Sequence, residues 1–163
     1  MTLRENLSNL FKYRWLLQLL VERDLKVKYR RSVLGYFWSI LNPLLMMIIL
    51  TIVFSTVFRF DIPNYPVYLL AGQLIYSFFA EATSMALGAI LDGAALIKKV
   101  YLPKYIFPLS RVLSSFTSIL LSLCALFFVM IITGVEFHLT LLLLPLAMIY
   151  ILIFSIGVGL IMS

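Results

Sequence analysis

Apolar and polar positions divide this chain into long uncharged blocks separated by short charged ones. Residues 32–58, 112–135 and 139–163 contain no charged side chain, and residues 62–91 contain only Glu81. About 20 apolar residues cross a hydrocarbon core as a helix. The pattern therefore predicts four spans, at about residues 34–58, 66–90, 112–134 and 139–162. The second is read as one helix because a carboxylate directed at protein is tolerated in a membrane, whereas a lipid-facing one is not. The competing reading is two interfacial helices broken at Glu81.

Ahead of the first span, Leu10, Tyr13, Leu16, Leu17, Leu20 and Val21 recur at helical spacing, with Lys12, Gln18, Glu22 and Arg23 on the other side. This predicts an amphipathic helix lying in the membrane surface, within a segment covering residues 1–31. Asn42-Pro43 interrupts the first span, where the proline frees the carbonyl of Ser39 from its helical bond and predicts a kink. Residues 92–111 mix helix formers with Pro103 and Pro108, which predicts a short helix and a stiff return into the membrane. The fold class expected is all-α: a polytopic membrane protein with one interfacial helix and four transmembrane helices in a single domain over residues 1–163.

Composition supports this and excludes much else. Of the 163 residues, 63% are apolar and 12% charged, at a mean hydropathy of +1.08. A soluble domain is roughly half apolar and a quarter charged, so a soluble enzyme or a nucleic-acid binder is excluded. The net charge of +6 sits in blocks beside the apolar runs. Basic residues number eight in residues 1–31, one (Arg59) between the first two spans, four in residues 92–111, and none between the last two. That alternation places the amino end and the 92–111 loop in the cytoplasm. Tyr36, Phe37 and Trp38 are placed for an aromatic belt at the inner end of the first span. The fourth span ends at Ser163 with no basic residue behind it, which reads as a chain cut short.

Candidate chemistry is sparse. One cysteine, Cys124, one histidine, His138, and no phosphate-cradling glycine loop give no metal cage, catalytic set or nucleotide site. The second span carries a polar stripe at Gln73, Ser77, Glu81, Ser84, Gly88 and Asp92, all on one helical face. Such a face lines a pathway or glues helices together, and Ser110, Ser114, Ser118 and Ser122 form a matching ladder leading into the third span. Tyr76 and Phe79 lie about a turn apart beside the stripe. Arg30 and Arg31 stand where a lipid phosphate could be met, although membrane topology alone also explains them.

The run Arg23-Asp-Leu-Lys-Val-Lys-Tyr-Arg-Arg-Ser-Val-Leu-Gly-Tyr-Phe-Trp38, closing on Leu41-Asn42-Pro43, resembles the opening of permease subunits of type-2 ATP-binding-cassette exporters of bacterial cell-surface polysaccharide. Phe78-Phe79-Ala80-Glu81, then Leu96-Ile-Lys-Lys-Val-Tyr-Leu-Pro-Lys104 and Pro108-Leu109-Ser110, look like the same family's second span and first cytoplasmic loop. The resemblance covers most of residues 20–115.

It implies a non-enzymatic permease subunit in the bacterial inner membrane, working as a pair with two copies of a separate ATPase that holds ATP and magnesium. The substrate implied is a lipid-linked polysaccharide such as O-antigen, capsule or teichoic acid, and this chain itself carries no cofactor. Asp92, Leu96, Ile97, Lys98, Lys99, Val100 and Tyr101 take the place of the coupling helix, which rests on the ATPase. Gln73, Ser77, Glu81, Tyr76 and Phe79 become candidates for the substrate pathway, and Arg30 and Arg31 for lipid phosphate. The family has six spans against the four counted here, so the resemblance implies a fragment or a shortened form. Two other readings are a type-2 exporter of a drug or lipid, and a membrane assembly protein that transports nothing.

Overall fold

In a computed structural model, residues 13–30, 35–58, 64–97, 102–135 and 143–163 are described, and they are mainly helical, with no strand among them. Helix α1 covers Arg14–Tyr29, and a 3-10 turn over Gly35–Phe37 leads into α2, Trp38–Val53, which ends in a π-helical turn at Phe54–Phe58. Next come α3, Tyr65–Asp92, the single turn α4, Ala94–Ile97, then α5, Ile106–Thr133, and α6, Leu144–Met162. Among the described residues, four helical segments are long and apolar enough to cross a membrane: Gly35–Thr56, Tyr65–Asp92, Ile106–Thr133 and Leu144–Met162. At 28 residues each, α3 and α5 extend roughly 42 Å, more than the ~30 Å of a hydrocarbon core.

Chain punctuation follows local chemistry. Asn64, at φ 55°, takes the left-handed conformation that asparagine tolerates, and Pro66 in the first turn of α3 gives up no bond. Helix α5 ends at Gly134, φ 65°, with Val135 N–H donating back to the Met130 carbonyl at 3.2 Å, a glycine-terminated cap. Within α2 the helix continues through Pro43, and the carbonyl of Ser39 that the proline frees accepts a bond from the Ser122 hydroxyl of α5 at 2.9 Å.

Helix α5 is the hub, packed against α1, α2, α3 and α6. On α3 the buried positions Leu70, Leu74, Phe78, Ala82 and Ala86 repeat every four residues and meet Val112, Ile119 and Leu126 of α5. The Phe78 and Phe116 rings meet edge-on at 5.9 Å. Helix α6 comes closest where residues are small. A Cβ on Gly159 would lie 3.1 Å from Ala86 Cβ and 3.3 Å from a Val112 methyl, and Ser155, one turn earlier, is fully buried. Small residues four apart let helix backbones approach where lipid offers no hydrophobic drive to association. The outward faces are apolar, with Ile48, Ile49 and Ile52 on α2 and Ile149, Ile153 and Ile161 on α6 exposed, as a lipid-facing surface requires.

Two elements depart from expectation. The cytoplasmic loop expected over residues 92–111 is shorter, because α5 begins at Ile106 and takes in Pro108 and Arg111. A proline in the first turn loses no hydrogen bond, so Pro108 does not delay the helix. The amphipathic helix runs eight residues past Val21 to Tyr29 and packs along α5. Leu20 and Asp24 are buried, Asp24 against Ser114 of α5, and Lys28 lies opposite Ser118. Ser118 is twelve residues, roughly 18 Å, into α5, so the carboxyl end of α1 dips into the bundle. Leu10 and Lys12, part of the expected helix, lie outside the described residues.

Candidate functional site

The serines of α5 organise two polar clusters. Hydroxyls of the ladder bond backbone oxygens of their own helix, Ser114 to the Ser110 carbonyl at 2.9 Å and Ser122 to that of Ser118 at 3.1 Å. The same groups turn outward to other helices. Ser114 donates to Asp24 Oδ2 at 3.4 Å, Lys28 Nζ donates to Ser118 at 3.3 Å, and Ser122 holds the Ser39 carbonyl. A serine every fourth residue thus gives α1 and the start of α2 a polar track in an otherwise apolar helix.

The first cluster closes the end of the bundle where α3 gives way to α5. Arg111 Nη1 lies 3.1 Å from Asp24 Oδ1, and Nη2 donates to Asp92 Oδ2 at 2.9 Å. Arg23 Nη2 also reaches Asp24 Oδ1 at 2.9 Å. The Asp24 side chain is only 2% exposed, a burial that a carboxylate tolerates when its charge is met and its oxygens bonded. Two arginines against two aspartates leave the cluster neutral. Through the planar fork of Arg111 it joins α1, the end of α3 and the start of α5.

Beside it begins the loop. Gly93 ends α3 with its Cα against the Phe107 ring, where a Cβ would come within 2.5 Å of the ring, and its carbonyl accepts the N–H groups of Leu96 and Ile97 to make α4. On the far side, Ile106 N–H donates to the Pro103 carbonyl at 3.2 Å. Both described flanks of the connection are therefore held by local contacts.

The second cluster lies further in. Lys28 Nζ donates to Glu81 Oε1 at 2.6 Å, and the Ser115 hydroxyl donates to the same oxygen at 3.3 Å. Both charged side chains remain more than a third exposed. The Tyr29 hydroxyl is bonded to that of Ser39, which ties the last residue of α1 to the first turn of α2. A cavity of about 290 Å³ opens between α1, α2, α3 and α5 beside this pair, with Asn42, Gln73 and Ser77 among its lining. On the outer face of α1, Lys26 and Glu22 pair at 2.6 Å. The hydrogen bond and then the opposite charge hold the Glu22 carboxyl below its usual range and the Lys26 ammonium above its own.

Gln73, Ser77 and Glu81, placed on one stripe by their spacing, meet at the cavity. Tyr76 is 72% exposed on another face of α3, and Phe79 stacks on Phe154 of α6 at 5.4 Å, so neither ring reaches it. Asp92 is held by Arg111, and Leu96 and Ile97 sit half-buried on α4. Lys98, Lys99, Val100 and Tyr101 lie outside the described residues, as does Arg31, while Arg30 is exposed at the end of α1. The sequence pattern alone does not single out Asp24 and Lys28. Their signal is the four-residue step Leu20, Asp24, Lys28, which puts a carboxylate and an ammonium on the face that also carries a buried leucine.

Comparison with known proteins agrees with this architecture. Residues 16–163 match the family described as ABC-2 type transporter. The chain is 40% identical over 111 residues to an O-antigen export system permease protein RfbA of Klebsiella pneumoniae, covering 68% of this chain and 42% of that protein. It is 39% identical over 114 residues to the RfbA permease of Myxococcus xanthus, covering 70% and 44% respectively. A polysialic acid transport protein, KpsM of Escherichia coli, is 30% identical over 70 residues, covering 42% of this chain and 27% of that one. The chain thus spans less than half the length of the curated relatives it matches.

Proposed function

Since the chain belongs to the ABC-2 type transporter family, we propose that it is part of the transmembrane subunit of an ATP-driven exporter that moves lipid-linked polysaccharide across the bacterial cytoplasmic membrane. The names of its relatives support a surface glycan of the O-antigen kind over a drug or a free lipid. ATP and magnesium belong to a separate ATPase, and a second copy of the permease completes the assembly. The basic residues of the amino-terminal segment and of the loop after α3 favour the cytoplasmic side for both.

The observation that carries this reading is the held flanks of the loop with their ion cluster. A force applied at α4 passes to the bundle, because Gly93 rests on Phe107 and Arg111 ties the roots of α3 and α5 to α1. Displacement of α4 therefore tilts three helices together instead of bending a linker, which is the mechanical need of a transporter whose energy is released in another chain. Helix α1 passes the displacement to α2 through Tyr29 and Ser39.

Removing this chain from its host while leaving the ATPase in place tests the proposal. Lipid-linked glycan is expected to collect on the cytoplasmic leaflet, and the tagged chain is expected to co-purify with the ATPase. Normal surface glycan in the deletion strain would overturn it.

A further inference from the structure

The cavity between α1, α2, α3 and α5 has a composition that neither a lipid tail nor an ion suits. Its volume of about 290 Å³ is near the lower end of the ~300–1,000 Å³ typical of ligand sites, and is room for roughly ten waters at about 30 Å³ each. The only charged residues among those described lining it are Lys28 and Glu81, and these are bonded to each other at 2.6 Å. A phosphate would have to displace Glu81 from Lys28, and a cation would have to displace Lys28 from Glu81. An acyl chain would leave the amides and hydroxyls of the wall unpaired. A neutral guest carrying several hydroxyls has none of these costs.

The wall also holds polar groups open to a guest. Gln73 Oε1 is buried and accepts no hydrogen bond, and Asn42 and Ser77 stand exposed on the same wall. Two carboxamides and a hydroxyl offer donors and acceptors in both senses, which a ring of adjacent hydroxyls can match. Trp38 lines the same cavity and supplies a flat apolar face, on which the C–H side of a sugar ring can lie while its hydroxyls reach the amides.

We propose that this cavity is a binding site for one neutral sugar unit of the exported glycan, stacked on Trp38 and hydrogen-bonded by Asn42 and Gln73. The site rests on the exporter reading above and moves the glycan contact from the exposed Tyr76 ring to the inner side of α3. Lys28 and Glu81 form its charge-neutral floor, where their pairing keeps both away from the guest. Gln73 then has its missing partner only when a sugar is present.

A photoreactive benzoylphenylalanine placed at Trp38, and separately at Tyr76, in the chain expressed with its ATPase in the glycan-exporting host tests this. Adducts are read by periodate staining for carbohydrate. The Trp38 probe is expected to capture glycan and the Tyr76 probe is not. Gln73→Leu is expected to lower capture at Trp38 by about threefold to tenfold, the worth of a lost hydrogen bond, with unchanged protein level. Asn42→Ala serves as the second variant should Gln73→Leu fail to accumulate. Ongoing export with no more capture at Trp38 than at Tyr76, or capture unmoved by both variants, overturns the site and leaves the exporter reading intact. That reading fails separately if surface glycan does not depend on this chain.

Discussion

The two ion-paired clusters on α5 lie about two helical turns apart, from Arg111 to Ser118, and are built on opposite principles. At the Arg111 end one arginine fork grips two carboxylates, one of them 2% exposed, and a second arginine backs it. Further in, a single lysine meets a single glutamate, and both are open over more than a third of their surface beside a cavity. A buried, multiply bonded charge can leave its place only at high cost, whereas a half-exposed pair has water to take either partner. The first cluster is thus a tie that keeps three helices in register, and the second is a local pair within reach of water. In the proposed exporter, force transmission rests on the former and the glycan contact lies beside the latter.

The sharpest way to break this contrast is to remove the fork. Arg111→Met leaves Asp24 buried with Arg23 alone and Asp92 unpaired, and is expected to cost about 3 kcal/mol, seen as reduced membrane level and a lower melting midpoint in detergent. Asp24→Asn together with Arg111→Met should recover part of that loss, because the buried carboxylate is then gone. If Arg111→Met melts like the wild type, the cluster is no tie.

Next in size is the loop hinge. Gly93→Ala drives a methyl into the Phe107 ring, with an expected loss of about 1–3 kcal/mol, and Phe107→Leu should restore most of it by making room. A Gly93→Ala variant as stable as the wild type would show that this flank of the loop is not held.

Smaller again is the inner pair. Glu81→Gln is expected to insert normally and to change stability by no more than about 1 kcal/mol, as half-exposed pairs do, while slowing export. A loss as large as that of Arg111→Met would erase the distinction between the clusters.

The smallest effect belongs to Glu22 and Lys26, exposed on α1. The Glu22 carboxyl is held below its ordinary value of 4.5, so its contribution is complete above that pH and fades as pH falls through the lowered value. The Lys26 ammonium is held above its ordinary 10.5, so its share is complete below that pH and fades as pH rises through the raised value. A slight difference in α1 amide exchange between wild type and Lys26→Gln is expected near neutral pH and should shrink toward both extremes. A difference that grows toward acid pH would contradict the pairing.

What could be read in the sequence depended on which force decided each feature. Hydropathy dominates in a bilayer, so the four spans were legible, and so was the free Ser39 carbonyl, because a proline removes a specific bond. Where α5 begins was not, because Pro103 and Pro108 look like breakers unless it is known that a first-turn proline costs nothing. Lys28 was hidden among eight basic residues whose count already explained membrane orientation. Only the path of α1 along α5 shows that this one lysine faces inward, where Glu81 waits. That Gln73, Ser77 and Glu81 share a face was legible because a four-residue step fixes one. Tyr76 and Phe79 share no such rule, and Phe154, far along the chain on α6, takes one of them.

The proposed exporter requires the segment after α3 to receive the ATPase. Cysteine cross-linking reads it directly, with the native Cys124 replaced by serine so that each engineered thiol stands alone. Ile97→Cys on α4 is expected to cross-link to the co-expressed ATPase, and Asn64→Cys at the opposite end of α3 is not. Equal cross-linking from both positions, or cross-linking from Asn64→Cys alone, would contradict the topology and the coupling role together.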